Sequence, residues 1–390
     1  MPFSDTESHK LANDPYGETH MTSTVMTVLG PIPASELGPT LPHEHLFIDL
    51  MAYVDELARF QQSAILDDGI GLSNLADIRA NPYGNRLNCI LNDVDLASRE
   101  LERFLAAGGR TLVDVTNKDI GSNPAGLREV ALRTGANIVA GIGHYVNFAQ
   151  NGDVAARDVE EVAELLVDQI QNGLAGTDIR PGIIGEIGTT FPLHPNEEKS
   201  LRASARAHLR TGLPITVHVH PPTRSGHVVL DVLESEGVDL SRVVLGHLDA
   251  ALAHSDIEFD EAVEYHRSLA ARGAFLEYDL CGNSGFFTDG ANSWWLPSDR
   301  ERCKAISRLA DSGYLEQMLI SQDVGHKHYL AEFGGWGYSH VLTEFPAMLQ
   351  TFGLDAAAHD QITRKNPARM LTGMVLDERA DAVAGHQTAP

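Results

Sequence analysis

Cysteine is nearly absent from the 390-residue chain, and the three present, Cys89, Cys281 and Cys303, lie far apart. No CxxC or zinc-knuckle spacing occurs, so neither a disulfide framework nor a thiolate-held metal is expected, and a reducing cytoplasm fits. Basic residues are also short, with 29 against 54 acidic ones and a formal net charge of −25. Such a field repels phosphate backbones and anionic membrane faces, which argues against nucleic acid and membrane surfaces as partners. An anionic small molecule stays open, because bound divalent cations invert the potential locally. No basic segment followed by an apolar stretch opens the chain, and no run approaches the roughly 18 apolar residues of a membrane span. Nor does a GxGxxG or Walker loop follow the first strand-like segment, so the phosphate cradle of an open doubly wound sheet is missing. The expectation is a soluble cytoplasmic protein that acts on a small molecule.

What is present is a repeating alternation. Eight short β-rich runs, TLPHEHLFID, RTLVDVT, NIVAGIGHY, GIIGEIG, PITVHVH, VVLGHLD, AFLEYDL and MLISQDV, are separated by stretches with helical spacing of apolar residues, such as DVEEVAELLVDQIQNGLAG. The runs are almost continuously apolar, as befits parallel strands covered on both faces. Eight such units predict an α/β fold, a (β/α)8 TIM barrel forming one domain over residues 23–375. A long excursion follows the first strand at about residues 50 to 95. Residues 1–22 and 376–390 are polar, lack periodicity and read as tails.

Polar residues recur at one place in these units, the C-terminal end of the strand. His43 and His45 close the first, Glu186 the fourth, His218 the fifth, His247 the sixth and Asp323 the eighth. In a barrel those ends share one rim, where active sites are built. Residues two apart on a strand point the same way, so an HxH pair can grip one ion. Three such pairs occur, His43/His45, His218/His220 and His326/His328. Imidazole and carboxylate without thiolate suit zinc first, and manganese or cobalt as alternatives. Two adjacent cations repel and need an anion between them, a place Glu186 can take together with a hydroxide. A single-metal site is the other reading of the same residues.

The string TVLGPIPASELGPTLPHEHLFID, followed by GIIGEIG, PITVHVH, VVLGHLD and ISQD, resembles the phosphotriesterase family of the amidohydrolase superfamily from about residue 24 to the NPARML segment near 370. The resemblance implies a homodimer with His43, His45 and Asp323 on a buried metal and His218 and His247 on a more exposed one. Two departures stand out. Where many members bridge the metals with a carboxylated lysine, this chain has Glu186. Where phosphotriester-cleaving members relay a proton through a histidine and an aspartate, the aligned positions are Leu280 and Ala250. The arginine that lactone-cleaving members often carry at the Leu280 position is missing as well. Glu186, EYDLCG and GGWGYSH are similar instead to the phosphotriesterase-related branch, which acts on N-acyl amides of small amino acids or sulfonates.

These readings together predict a hydrolase in which a metal-bridging hydroxide attacks the carbonyl of a carboxylic amide, ester or lactone, N-acyl amides foremost. Phosphotriester or organophosphate hydrolysis is the alternative, and a non-catalytic binding protein on the same barrel is the alternative of another class. Asp323 is the expected proton carrier, and the Tyr145 hydroxyl is expected to orient the carbonyl. His144 beside it should face the other way. The expected substrate pocket draws on His220, His326, Phe286, Phe287, Trp294, Trp295 and Trp336, with Arg224 or Lys327 meeting any anionic end. His326 and His328 lie in a loop, where solvation is the plain expectation.

Overall fold

A computed structural model describes residues 23–58, 66–221, 223–254, 256–288 and 293–375. Both expected tails lie outside these residues. Eight parallel strands form one curved sheet in sequence order: β1 Thr40–Glu44, β2 Thr111–Asp114, β3 Asn137–Ile142, β4 Ile183–Gly188, β5 Ile215–His218, β6 Val243–Gly246, β7 Phe275–Tyr278 and β8 Met318–Ile320. Ladders join each strand to the next. Between β8 and β1 the described residues show no backbone ladder, and side chains close that seam.

Seven longer helices follow the first seven strands: α1 Val94–Ala106, α2 Pro124–Thr134, α3 Val159–Asn172, α4 Pro195–Thr211, α5 Gly226–Ser235, α6 Phe259–Ala270 and α7 Asp299–Asp311. Their sequences carry their own start signals. Asp93 caps α1 through the amides of Asp95 and Leu96, and Asp158 with Glu161 forms a capping box on α3. The buried residues of α1, Leu96, Leu101 and Phe104 among them, recur at helical spacing and turn toward the sheet.

Inside the barrel, below the rim, each of six strands gives an apolar side chain. Val113, Val139, Ile183, Val244, Phe275 and Leu319 form one cluster. Val25 from the hairpin Thr24–Thr27/Gly30–Pro33 and Met370 from the helix Asn366–Thr372 join it. Apolar filling there leaves the polar side chains to the C-terminal rim.

The first strand is shorter than its sequence suggests. It ends at Glu44, and Ile48–Asp49 pairs separately with Ile90–Leu91. The Asp114 carboxylate captures the Leu46 amide at 2.7 Å, which draws the chain out of the sheet there. The excursion that follows carries the helix Met51–Ala58 and brings Tyr53 and Tyr83 over the rim.

Candidate metal centre

The residues expected as ligands converge. His45 Nε2 lies 3.1 Å from Asp323 Oδ1, and His43 Nε2 lies 3.9 Å from the same oxygen. The two oxygens of Glu186 divide between the histidines. Oε1 faces His45 Nε2 at 3.5 Å, while Oε2 faces His218 Nδ1 at 3.4 Å and the Nε2 atoms of His247 and His43 at 3.6 Å. His218 Nδ1 and His247 Nε2 are 2.8 Å apart. Each of these side chains is buried except Asp323, which is 22% exposed.

Backbone geometry is spent on this arrangement. His247 (φ 58°) and Asp323 (φ 47°) occupy the left-handed region, a conformation that costs about 1–3 kcal/mol and persists only where surroundings impose it. The His247 amide is held by the Asp279 carboxylate at 2.9 and 3.1 Å. Ahead of Glu186, a Cβ on Gly185 would meet the Thr216 carbonyl oxygen at 2.3 Å, so the approach of β4 to β5 requires glycine.

A second layer fixes the imidazoles. His43 Nδ1 lies 3.2 Å from Glu277 Oε2 and 3.3 Å from Asp279 Oδ2, and His247 Nδ1 lies 2.9 Å from Asp279 Oδ1. His45 Nδ1 pairs with Thr116 Oγ1 at 2.8 Å. Anchoring the far nitrogen in this way turns Nε2 of His43, His45 and His247 toward the centre. His218 presents Nδ1, which also meets the Tyr145 hydroxyl at 3.1 Å. The sequence reading did not single out Glu277 and Asp279. They obey the same two-residue alternation as an HxH pair, Glu277 within β7 and Asp279 just past its end. His144 faces away as expected, onto Asp119 Oδ2 at 3.2 Å.

The cluster is short of positive charge. Glu186, Glu277, Asp279 and Asp323 all carry carboxylates into it. Burial alone would depress His43, yet Glu186, Asp279 and Glu277 push it up to about 10. His247 is likewise raised well above its ordinary range against burial, chiefly by Asp279. Burial pushes Glu277 up to about 7. Glu186 goes the other way: burial opposes ionisation, but the imidazoles around it, His43 first, hold it well below the carboxylate range.

His43 Nε2 and Glu186 Oε2 are fully buried and lack a hydrogen-bond partner among the described residues, a costly condition for either atom. Donors of two groups each converge within 4.8 Å, His43 with His45 and Asp323, and His43 with Glu186 and His247. The cysteines are buried and uninvolved. These residues fit divalent cations that favour imidazole and carboxylate. A third group, His43 with Glu277 and Asp279, uses the histidine's other nitrogen and serves as the supporting layer.

A cavity of about 140 Å³ opens over Glu186, His218, His247 and Asp323. Of the expected pocket residues, His220, Trp294 and His326 border it. Phe286 and Trp295 do not. On the hairpin Gly285–Thr288/Ser293–Leu296 alternation turns Trp294 and Leu296 inward, so Trp295 and its cross-strand partner Phe286 pair outward, 5.0 Å apart. The Phe287 side chain lies outside the described residues. Trp336 stacks on Tyr329 at 4.7 Å instead of bordering the cavity.

Arg224 is exposed beside a separate hollow with His254 and Asp256, and Lys327 does not reach the cavity either. His328 is not solvated, since its ring and amide both meet Asn88 Oδ1 at 3.0 Å. His326 is buried too, which lowers it to about 4 and keeps it neutral. Leu280 and Ala250, where a proton relay would stand, pack with Leu296 and Trp294 into an apolar wall.

A parallel barrel whose C-terminal rim holds buried imidazoles and carboxylates beneath a small cavity defines an enzyme of the hydrolase class. The chain belongs to the phosphotriesterase family, whose signature spans residues 23–371. It is 34% identical over 354 residues to an N-acetyltaurine hydrolase of Xenopus tropicalis, covering 90% of this chain and 99% of that one. Among solved structures, a resiniferatoxin-binding protein from Rhodobacter sphaeroides is 38% identical with a TM-score of 0.83, covering 91% of this chain and 97% of that one. A lactonase from Listeria monocytogenes is 25% identical with a TM-score of 0.71, covering 90% and 99%. No described helix is long and apolar enough to cross a membrane.

Proposed function

We propose that the protein is a two-metal hydrolase of carboxylic amides, esters or lactones, with N-acyl amides foremost. The observation that carries this reading is the placing of both Glu186 oxygens among the imidazoles, Oε1 3.5 Å from His45 and Oε2 3.4 Å from His218 and 3.6 Å from His247 and His43. His43, His45 and Asp323 would hold one cation and His218 with His247 the other, zinc by preference, manganese or cobalt as alternatives. When bound, such cations supply a Lewis acid for the carbonyl and a water that ionises near neutral pH. Of the two carboxylates that border the cavity, Asp323 is the more open, 22% exposed against 2% for Glu186, so it accepts the water's proton and delivers it to the departing atom. Burial keeps the Tyr145 phenol well above its ordinary range, so its hydroxyl stays a donor for the substrate carbonyl.

An amide named for the amphibian relative and the lactonase among the neighbours both support acyl chemistry. The Leu280–Ala250–Leu296 wall supports it too, since it leaves no relay for a phosphotriester on that side. The test is a screen of zinc- and manganese-loaded protein against N-acyl amino acids, N-acyltaurines, lactones, aryl esters and a phosphotriester, with a metal-stripped control. Acyl turnover lost on stripping is expected; turnover that survives stripping overturns the reading. The resiniferatoxin-binding neighbour supports a second reading, a non-catalytic small-molecule-binding protein on the same barrel. Ligand affinity without turnover of any substrate class would favour it.

A further inference from the structure

Among the buried polar atoms at the cavity that lie outside the ligand cluster is Nε2 of His326, which has no role in the chemistry described so far. His326 Nε2 is buried and makes no hydrogen bond among the described residues, although its ring borders the cavity together with Asp323. A histidine that merely packs in a core ordinarily finds a partner for each buried nitrogen. This one is held in place by rings alone: Tyr83 at 5.0 Å, Tyr329 at 5.3 Å and His328 at 5.7 Å. Its carbonyl accepts the Tyr329 amide at 3.1 Å, which pins the backbone as well. The orientation is therefore set before any substrate arrives.

The lining of the cavity is mixed in kind. Leu280 and Leu296, which pack with Ala250, border it with apolar side chains. Elsewhere on the lining, His326 offers a neutral imidazole, whose N–H donates in the tautomer that carries its proton on Nε2. We propose that His326 is a catalytic residue that hydrogen-bonds the departing oxygen or nitrogen of the substrate, while the acyl group lies against the leucine wall.

The inference rests on the hydrolase reading above. In that reaction the water oxygen forms the new bond to the acyl carbon and the bond from that carbon to the departing atom breaks. The proton that Asp323 takes from water ends on the departing atom. His326 stabilises the charge that builds there and is unchanged at the end of the cycle.

The test uses metal-loaded protein and a series of esters and amides sharing one acyl group, with leaving groups running from nitrophenol to simple alcohols and amines. A good leaving group needs little help; a basic one needs much. His326→Phe should lower kcat/KM for the basic leaving groups by about 10- to 100-fold, as when a charge-stabilising donor is removed. For the nitrophenyl ester the loss should stay within about threefold. His326→Gln, which restores a nitrogen donor, should recover most of the loss. Metal content and melting temperature are measured for both variants, and His326→Leu replaces Phe if the larger ring prevents folding. An equal loss across all leaving groups, or none, overturns the assignment while leaving the hydrolase reading intact. No turnover of any member by the unmodified protein overturns both.

Discussion

Glu44 holds Asp323 in place from both sides. Its Oε1 accepts the Gln322 amide at 2.8 Å and the Ser321 hydroxyl at 2.7 Å, and its Oε2 accepts the Val324 amide at 2.9 Å. Asp323 stands between those two amides in the left-handed region, at φ 47°. One carboxylate thus bridges β1 to β8 where no backbone ladder does, and shapes the loop that carries the proton acceptor.

Glu44→Gln should therefore cost more than an ordinary surface change. Each of these three partners donates to the carboxylate, so an amide NH2 must face at least one of them. An unsatisfied buried donor pair costs about 1–3 kcal/mol. Denaturant unfolding should show a loss of that size, and metal should be retained more weakly because Asp323 is released. Full stability together with full metal content would refute the role.

Asp279 touches two ligands at once, Nδ1 of His43 at 3.3 Å and of His247 at 2.9 Å. Asp279→Asn keeps the shape but removes the charge that orients both rings. Loss of such an outer partner typically lowers metal affinity about 10- to 100-fold. Competition with a chelator on folded protein measures this directly. An affinity within a factor of two of the unmodified protein would show that Asp279 is structural only.

The barrel and its metal-ligand candidates were legible because two simple periods carry them. Apolar runs at strand length alternating with helical spacing yield eight βα units, and strand alternation puts His43 and His45 on one face. Glu44 escaped notice for the same reason: it faces the seam, and its partners are peptide amides some 280 positions away, at Gln322 and Val324. The aromatic loops were misjudged because residue type does not report direction. Trp294 and Trp295 are adjacent, and only the hairpin register with Gly285–Thr288 decides which enters the cavity. Arg224 and Lys327 were placed by charge, yet the turns that follow β5 and β8 carry both away.

Metal uptake should release protons. Without a cation, the carboxylates around His43 offset its burial and raise it to about 10, so it is protonated at neutral pH, whereas a coordinating nitrogen must be bare. Affinity should then climb with pH between about 6 and 9, with proton release seen as calorimetric heats that depend on buffer ionisation enthalpy. The sign for the metal-free fold is the reverse. Because the folded value lies above the ordinary 6.5, the stabilisation from charged His43 is complete below 6.5 and is lost as pH approaches about 10. Uptake independent of pH and of buffer would contradict this charge balance.

Asp323→Asn separates holding a cation from moving a proton. Asparagine is among the few residues that tolerate left-handed backbone, so φ 47° should survive the change. Its side-chain oxygen can still face His45 Nε2, where Asp323 Oδ1 lies at 3.1 Å. What disappears is a basic oxygen open to the cavity. General-base assistance is worth about 10²- to 10⁴-fold, so kcat should fall by that much while metal content and melting temperature stay near those of the unmodified protein. The loss should extend to good leaving groups, for which proton removal from water is still required, in contrast to His326 variants. Undiminished turnover in metal-loaded Asp323→Asn would leave Asp323 as a ligand and nothing more.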